Sequence, residues 1–160
     1  MAIIQLTRGL TAVIDDADLP LVVGFRWQAS AVRYRGSIIG YYAISGRSRS
    51  KILMHRLIIG AKFGEQVDHK DRDKLNNRRD NLRLATSAQN SVNRQTVNGI
   101  SGFRGVTFDK RKRLKPWRSQ VMINGVRKSL GCFATAIDAA VAWDQKVRMV
   151  YGEFAILNFP

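Results

Sequence analysis

A histidine beside an aspartate, followed by two spaced asparagines, is the part of this sequence most suited to chemistry. The chain has two histidines, and one of them, His69, directly follows Asp68, with Asn81 and Asn90 farther along the same stretch. Carboxylate and amide oxygens bind hard divalent cations, and imidazole exchanges protons near neutral pH. The set therefore predicts a one-metal site that can hydrolyse a phosphodiester.

Each predicted role follows from what that hydrolysis requires. Asp68 and Asn90 are the predicted ligands of one Mg²⁺ or Mn²⁺ ion, which would stabilise charge on the phosphate and on the departing oxygen. His69 is the predicted general base for the attacking water. Asn81 is predicted to fix the polar loop by side-chain-to-backbone hydrogen bonds and so to hold His69. Asp68 and His69 can share one site only if their strand twists or ends between them.

A strand, loop, strand and helix are predicted to position these residues. In chain order they are a strand end at 67–69, a polar loop over 70–80, a strand over 81–85 and a helix from 87 to about 94. Thr86 and Gln89 have the spacing of a capping box, which predicts a helix start at Ser87. Leu82 and Leu84 are expected on one face of the second strand.

The preceding segment is predicted to supply short strands and one short helix. Strands are expected at 3–7 and 11–14, around Arg8-Gly9, and again at 41–45 and 51–59, around a polar turn at 46–50. The aspartates of residues 15–18 are expected to cap a short helix that Gly24 ends. Alternation along 52–58 is imperfect, so the buried face of that strand stays open.

The last third of the chain predicts a sheet backed by a helix. Strands are expected at 103–109, 117–123 and 126–133 after a small, polar linker at 95–101, and Asn124-Gly125 is a two-residue hairpin signal. Thr135 and Asp138 predict the cap of a long helix that ends near Gly152. Its apolar face comprises Ala136, Ala140, Trp143, Val147 and Val150. The fold class is α+β, with a mixed N-terminal region followed by a three-stranded antiparallel sheet on one long helix.

Strand parity separates a buried face of this sheet from an exposed one. Alternation predicts that Trp117, Ser119, Val121 and Ile123 face the helix. The opposite face would present Arg118, Gln120 and Met122, continued by Arg127 and Ser129 on the third strand. Such a face can enter the major groove of DNA and contact base edges. The basic turn at 110–113, with Arg111 and Arg113, and Lys115 after it, suits phosphate contacts.

Charge and composition point to nucleic acid. The 27 Lys and Arg outnumber the 12 Asp and Glu, and both halves are basic, with 16 against 8 up to residue 94 and 11 against 4 after it. Double-stranded DNA is the predicted partner; no obligate protein partner is inferred, and a monomer or weak dimer is expected. No stretch resembles a membrane span or signal peptide, and the single cysteine fits a reducing compartment, so a cytoplasmic location is expected.

The segment from Met54 to Asn93 resembles an HNH endonuclease of the ββα-metal type, in the branch common among phage and intron-encoded homing enzymes. The residues that carry the resemblance are Val67, Asp68, His69, Asn76, Asn77, Asn81, Leu82 and Asn90; Asp15 to Trp27 and Tyr42-Ala43 also resemble the region that leads into this motif. The resemblance implies the same metal ligands, base and loop-fixing residue, with Asn90 where some members have histidine.

Residues 103–160 resemble the Apetala-two (ethylene-response-factor) DNA-binding domain of plants. The matching residues are Arg104-Gly105-Val106, Trp117, Gly125-Val126-Arg127, Leu130 to Phe133, Ala139-Ala140 and Leu157 to Phe159. The resemblance implies base contacts from Arg104, Gln120 and Arg127, although parity puts Arg104 on the helix side. Gln120, Ser129 and Thr107 replace the usual Glu, Trp and Arg, so the docking mode carries over and the plant target sequence does not.

Together these features predict a site-specific, homing-type DNA endonuclease that leaves 3′-hydroxyl and 5′-phosphate ends. The expected domains are a nuclease at 1–94 and a DNA reader at 102–160. Phosphate contacts are expected in the nuclease from Arg56, Arg78, Arg79 and Arg83, and His55 is interpreted as structural or phosphate-contacting. Two alternatives remain: a DNA-binding regulator with an inactive HNH scaffold, and an RNA-binding or ribosome-associated protein.

Overall fold

The chain forms two compact units in a computed structural model that describes residues 1–46, 51–93 and 99–160. The first unit is Met1–Thr86 and the second is Ser87–Pro160. The boundary comes before the linker expected at 95–101, so the helix that starts at Ser87 groups with the second unit. Most of the turn expected at 46–50 and most of that linker lie outside the described residues.

The first unit opens with the predicted hairpin. Strands β1 (Ala2–Gln5) and β2 (Thr11–Ile14) pair antiparallel. Arg8 and Gly9 both have left-handed backbone, with φ of 67° and 68°, which reverses the chain between the strands. A 3₁₀ turn (Asp16–Asp18) and helix α1 (Leu19–Val22) follow, and a turn carries the chain through Gly24.

The expected capping of this helix by aspartate is wrong. Neither Asp15, before the 3₁₀ turn, nor Asp18, before α1, makes a side-chain cap hydrogen bond. Their carboxylates instead bind Arg78 and Arg79, far along the chain. These tertiary bonds, from two guanidinium groups and from the Arg79 backbone amide, take the place of the local cap.

A three-stranded antiparallel sheet follows, made of β3 (Gln28–Tyr34), β4 (Ser37–Ser45) and β5 (Ile52–Leu53). The strand predicted over 51–59 is wrong beyond Leu53, because Met54–Ile59 forms helix α2. Its buried residues Met54, His55 and Ile58 lie on one helical face, and Gly60, at φ 68°, ends the helix. Strand β3 was not predicted from the sequence.

Strands β6 (Gln66–His69) and β7 (Leu82–Ala85) form an antiparallel pair, as predicted. The register sets Asp68 opposite Arg83 and His69 opposite Leu82. Leu82 is buried and Leu84 is exposed, so only one of the two leucines on that face contributes to the core. Because β6 ends at His69, the chain turns directly after the Asp68-His69 pair.

One hydrophobic core connects the elements of the first unit. Ile14 from β2, Val22 from α1, Ile58 from α2 and Leu82 from β7 belong to the same buried cluster. Burial of each such side chain contributes roughly 1.5–3 kcal/mol. The segments before and after the polar loop are therefore fixed by the same packing.

The second unit is a three-stranded antiparallel sheet with helices. Helix α3 (Ser87–Val92) leads into strands β8 (Val106–Phe108), β9 (Trp117–Ile123) and β10 (Val126–Phe133), with β9 in the centre, and helix α4 (Ala136–Tyr151) follows. Asn124 and Gly125 have φ of 50° and 76°, so the predicted two-residue hairpin turn is confirmed. Ala88 and Val92 of α3 pack against the core around Trp143 and Val147.

Helix α4 has the predicted ends and a slightly different buried face. Thr135 accepts a hydrogen bond from the Asp138 amide, and the helix ends at Gly152. The prediction that Val150 is part of the apolar face is wrong, since Val150 is exposed and Tyr151 is buried. Tyr151 lies four positions after Val147, so both side chains are on the core side of the helix. The Tyr151 hydroxyl donates to the carbonyl of Met122 at 2.6 Å.

The C-terminal segment ties the loop before β8 to α4. Buried Asp144 accepts bonds from the backbone amides of Asn158 and Phe159, and Asn158 Oδ1 accepts from the Arg104 amide at 2.7 Å. Strand β8 begins only at Val106, so alternation does not extend to Arg104. The parity argument that turned Arg104 towards the helix is therefore wrong.

Gly105 is predicted to be intolerant of any side chain. It has φ +69°, and a Cβ there would lie 2.0 Å from Cδ1 of Trp143. We expect Gly105→Ala to destabilise the second unit by about 3 kcal/mol or more, because overpacking adds to left-handed strain. Gly125→Ala is the matched control, at φ +76° with no atom within 4 Å, and should cost about 1 kcal/mol. Equal urea midpoints for the two variants would contradict the contact with Trp143.

Candidate active site and nucleic-acid interface

His69 is buried, and one of its nitrogens is held by a side chain. Nε2 lies 3.3 Å from Oδ1 of Asn77, whose side chain is fully buried. Asn77 Nδ2 donates to the carbonyl of Leu75 at 3.2 Å and contacts Sδ of Met54 at 3.5 Å. These two acceptors orient the amide so that its oxygen faces the imidazole.

This orientation determines which nitrogen of His69 carries the proton. An amide oxygen accepts hydrogen bonds and cannot donate them, so Nε2 must be the donor. In the neutral ring, Nδ1 is then the nitrogen that can accept a proton. Burial lowers the pKa of His69, while the bond to Asn77 and the nearby Asp71 and Asp68 carboxylates act in the opposite direction. The neutral, base-competent form is therefore the one present at neutral pH.

Asn77 is fixed by β2 as well as by its own loop. Its amide donates to the carbonyl of Val13 at 2.7 Å, and the Val13 amide donates to the carbonyl of Leu75 at 2.9 Å. The N-terminal hairpin therefore sets the position of the residue that holds His69. In the sequence, Asn77 was marked only by its place in the HNH resemblance, and no role was predicted for it.

Asn81 makes the loop contacts that were expected of it. Its Oδ1 accepts from the Asp71 amide at 3.0 Å, and its Nδ2 donates to Asp71 Oδ1 at 2.9 Å and to the Asn76 carbonyl at 2.8 Å. Asn81 is itself buried. These bonds link both ends of the loop between β6 and β7, immediately after His69.

Asp68 lies in a buried ion pair. Nε and Nη2 of Arg83 reach Oδ2 of Asp68 at 3.0 and 2.9 Å, and the Arg83 and Asp68 side chains are 10% and 5% exposed. Both contacts are to the same carboxylate oxygen. Arg83, predicted as a phosphate contact, therefore has a partner within the first unit.

Asn90, the other predicted ligand, lies in α3 of the second unit. Asp68 and Asn90 offer a carboxylate and an amide oxygen, the donor types that Mg²⁺ and Mn²⁺ prefer. Among residues 1–46, 51–93 and 99–160, no group of three or more His, Cys, Asp or Glu side chains could hold a metal ion. The donor chemistry of the pair fits a hard cation and not zinc.

His55 and Tyr42 form an aromatic wall beside His69. The His55 ring centroid lies 5.1 Å from that of His69, nearly perpendicular at 78°, and the Tyr42 centroid lies 5.0 Å from His55 and 6.1 Å from His69. His55 is 6% exposed, and its Nδ1 is buried without a hydrogen-bond partner. Burial, and then the charges of His69 and Arg56, lower the pKa of His55 to about 3.

The other arginines proposed to contact phosphates also have partners within the first unit. Arg56 donates to the carbonyls of Lys62 and Glu65 after α2. Arg78 pairs with Asp15 and Asp80, and Arg79 forms a two-oxygen pair with buried Asp18. The Arg78 and Arg79 side chains are 40% and 54% exposed, so both also reach the surface.

The sheet of the second unit has the two faces that parity predicted. Ser119 and Val121 are buried on the helix side, whereas Met122, Arg127 and Ser129 are exposed. The register pairs Arg127 with Met122 and Ser129 with Gln120, so these four residues share the outer face. Thr107 and Cys132 both pair with Arg118 and extend that face.

The basic turn between β8 and β9 is exposed at one end of the sheet. Its residues 110–115 are all solvent-accessible. Arg111 pairs with Asp109 at 3.0 Å, and Lys112 Nζ lies 3.2 Å from the thiol of Cys132. The nearby cations Lys112 and Arg118 lower the pKa of that thiol. No helix in the described ranges has the length and apolar character needed to cross a membrane.

Comparison with known proteins identifies an HNH endonuclease domain in the middle of the chain. Residues 53–92 match the family model described as HNH endonuclease. The match begins at the last residue of β5 and contains all of α2, β6, β7 and α3. The chain is 29% identical over 153 residues to a mimivirus protein described as an uncharacterized HNH endonuclease, covering 94% of this chain and 76% of that protein. No solved structure matches.

Two further relatives cover parts of the chain. Protein 3.8 of Escherichia phage T7 is 33% identical over 94 residues, which are 58% of this chain and 74% of that protein. The dehydration-responsive element-binding protein 2C of Arabidopsis thaliana is 35% identical over 65 residues, 39% of this chain and 18% of that protein. The chain contains an HNH endonuclease domain. It belongs to the same family as protein 3.8 of phage T7.

The buried His55 predicts a loss of stability in acid. Its folded pKa of about 3 lies below the unfolded value of 6.5, so the unfolded chain binds the proton more readily between these values. Stability is therefore full above pH 6.5 and falls as pH decreases towards 3. We expect about 2–3 kcal/mol to be lost from this group between pH 7 and 4.5. Urea unfolding of the parent and of His55→Phe at several pH values measures this loss. If the free energy of unfolding depended on pH equally in both proteins, His55 would not be its source.

Proposed function

We propose that this protein is a site-specific DNA endonuclease of the homing type. The observation that carries the proposal is the hydrogen bond from His69 Nε2 to buried Asn77, which leaves Nδ1 as the proton-accepting nitrogen. A general base with one defined tautomer, within a stretch that matches an HNH endonuclease model, is what water activation at a phosphodiester requires.

His69 would remove a proton from the attacking water. Nδ1 takes the proton while Nε2–H stays bonded to Asn77, so the ring becomes an imidazolium without changing its position. The water oxygen forms a bond to phosphorus, and the bond from phosphorus to the 3′ oxygen breaks. The products would be 3′-hydroxyl and 5′-phosphate ends.

A divalent cation, Mg²⁺ or Mn²⁺, held by Asp68 and Asn90 would supply charge stabilisation at the scissile phosphate and at the leaving oxygen. Asp68 is already paired with Arg83 through Oδ2. Arg83 would then fix the carboxylate orientation, as second-sphere partners of metal ligands commonly do.

Asn81 would act by fixing the loop. Its three hydrogen bonds to Asp71 and Asn76 restrict the residues immediately after His69. A general base contributes fully only when it is held within a fraction of an ångström of its productive position. Asn81 is thus a positioning residue of the proposed site.

The second unit, with residues 102–160 as its main part, would find the DNA target. Its exposed face offers Arg118, Gln120, Arg127 and Ser129 for contacts to base edges in the major groove. Arg111 and Arg113 in the basic turn would contact phosphates, and Arg104, in the loop before β8, would lie at the edge of the face. The likeness to a plant protein named as element-binding supports this role.

Phosphate contacts from the first unit would come chiefly from Arg78 and Arg79, which are partly exposed. Arg56 and Arg83 would contribute indirectly. Arg56 holds the backbone after α2, and Arg83 holds the Asp68 carboxylate. A net charge of +15 supports double-stranded DNA as the partner of the whole chain.

The Asp68–Arg83 ion pair favours a second candidate, a DNA-binding regulator whose HNH scaffold is inactive. A carboxylate neutralised by a buried guanidinium is a weaker cation ligand than a free one. Incubation of supercoiled plasmid with the protein and Mg²⁺ separates the candidates, because a regulator leaves the plasmid intact and a nuclease produces nicked or linear DNA that EDTA prevents.

Loss of the general base is expected to abolish most cleavage. His69→Ala should lower the single-turnover rate by roughly 10²–10⁴-fold, because the water must then be deprotonated by solvent. Binding of the target duplex, measured by gel shift in Ca²⁺, should be retained. A His69→Ala protein that cleaves at the parent rate would remove His69 from the proposed mechanism.

Neighbouring residues of β10 provide a test of the exposed sheet face. Arg127 pairs with outward Met122, whereas Lys128 pairs with Val121 on the helix side. Arg127→Ala should weaken specific binding by about 1–3 kcal/mol and relax sequence preference at one position. Lys128→Ala removes the same charge and should leave the selected sequence unchanged. Binding to a randomised duplex library reads out both, and an identical selected motif for all three proteins would exclude Arg127 as a base-contacting residue.

A further inference from the structure

We propose that His55 is a positioning residue for His69, acting as a neutral ring that sets the plane of the base. This inference rests on the proposed role of His69 and adds a residue to which that role assigned nothing. Its observations are the geometry of the two rings, the burial of His55 and its unpartnered nitrogen.

A hydrogen bond at one ring nitrogen does not by itself define the plane of an imidazole. The bond from Nε2 to Asn77 fixes where that nitrogen lies. The ring of His55 restricts the plane, because it stands at 78° to that of His69 at a centroid separation of 5.1 Å. Edge-to-face packing at such distances has a preferred geometry. The bond and the ring contact together aim Nδ1 in one direction.

The position of His55 is itself well determined. Helix α2 carries it on the same buried face as Met54 and Ile58. Tyr42 of β4 packs against His55 at 5.0 Å, on a strand that pairs with β5 immediately before α2. Met54, the residue before His55 in the same helix, contacts the Asn77 amide. One helix therefore positions both the ring that packs on His69 and the amide that binds it.

The charge state of His55 matters because His69 becomes positively charged when it accepts a proton. A second cationic imidazole 5.1 Å away would oppose that step. Burial lowers the pKa of His55 to about 3, so the His55 ring is neutral at the near-neutral pH at which His69 is proposed to act as a base. A phenylalanine would supply a ring of similar shape and no charge, which makes it the matched replacement.

The unpartnered nitrogen explains why phenylalanine is a suitable replacement. The Nδ1 atom of His55 is one of two buried side-chain atoms without a hydrogen-bond partner among the described residues. A buried polar atom without a hydrogen bond is unfavourable, so replacing the imidazole by a phenyl ring breaks no bond of that atom.

The test uses the full chain and its two histidines, whose ring nitrogens are readily distinguished in a long-range ¹H–¹⁵N spectrum. In the parent, His69 should show a protonated Nε2 and an unprotonated Nδ1. His55→Ala should shift the His69 ring signals from their parent positions, because the ring plane is no longer fixed, and should lower the single-turnover rate by about 10–100-fold, with duplex affinity unchanged. His55→Phe should keep the parent pattern and a rate close to the parent.

Ile58→Ala is the control for general destabilisation, since it creates a cavity in the same helix without removing a ring. It should lower the unfolding midpoint and leave the His69 nitrogen signals unchanged. Parent-like signals and rate in His55→Ala would overturn the proposal. Equal slowing in His55→Ala and His55→Phe with unchanged His69 signals would also overturn it, because the imidazole itself would then touch the reaction. The spectra need no cleavage, so inactivity of the parent enzyme would count against the proposed function alone.

Discussion

The proposed chemistry follows from one constraint, the side-chain amide of Asn77, which is held by a methionine of α2 and by the backbone of its own loop. Asn77 is fully buried, and its amide group is oriented by Leu75 and Met54 before it meets His69. Its backbone is bonded to Val13 in the first hairpin. The fold therefore determines which nitrogen of the His69 imidazole donates a hydrogen bond and which one accepts. Asn81 restrains the same loop from its other end.

The two units are built by different physical means, which suit the two roles proposed for them. The first places few groups accurately through buried hydrogen bonds and ion pairs, as a reacting centre requires. The second exposes an alternating strand face between a packed helix and the solvent, as groove recognition requires. Cross-strand pairs such as Gln120 with Ser129 determine which side chains lie next to one another on that face.

The sequence predicted elements best where the signals were local. The Asn124-Gly125 turn, the Thr135 cap and the end at Gly152 depend on neighbouring residues, and all three are confirmed. Helix α2 was predicted as strand because residues 52–59 are apolar at nearly every position, and such a run does not discriminate between helix and strand. The aspartates of 15–18 satisfied a capping pattern but found arginine partners about sixty residues away.

The candidate site was predictable to a similar degree. The motif identified Asp68, His69, Asn81 and Asn90 as candidates from spacing alone. It could not show the burial of Asn77, the Asp68–Arg83 pair or the ring contact of His55, because each depends on which side chains the core brings together. Polar residues with tertiary partners have no periodic pattern in a sequence.

The ion pairs that join Asp15 and Asp18 to Arg78 and Arg79 determine how this protein can be divided into parts. Residues 53–92, which match the family model, depend on a strand, two carboxylates and part of the core that the preceding chain supplies. This stretch is therefore not expected to fold by itself. A chimaera that transplants only those forty residues would lose the counter-ions and the backbone support of its loop, so a modular exchange should begin at the first hairpin.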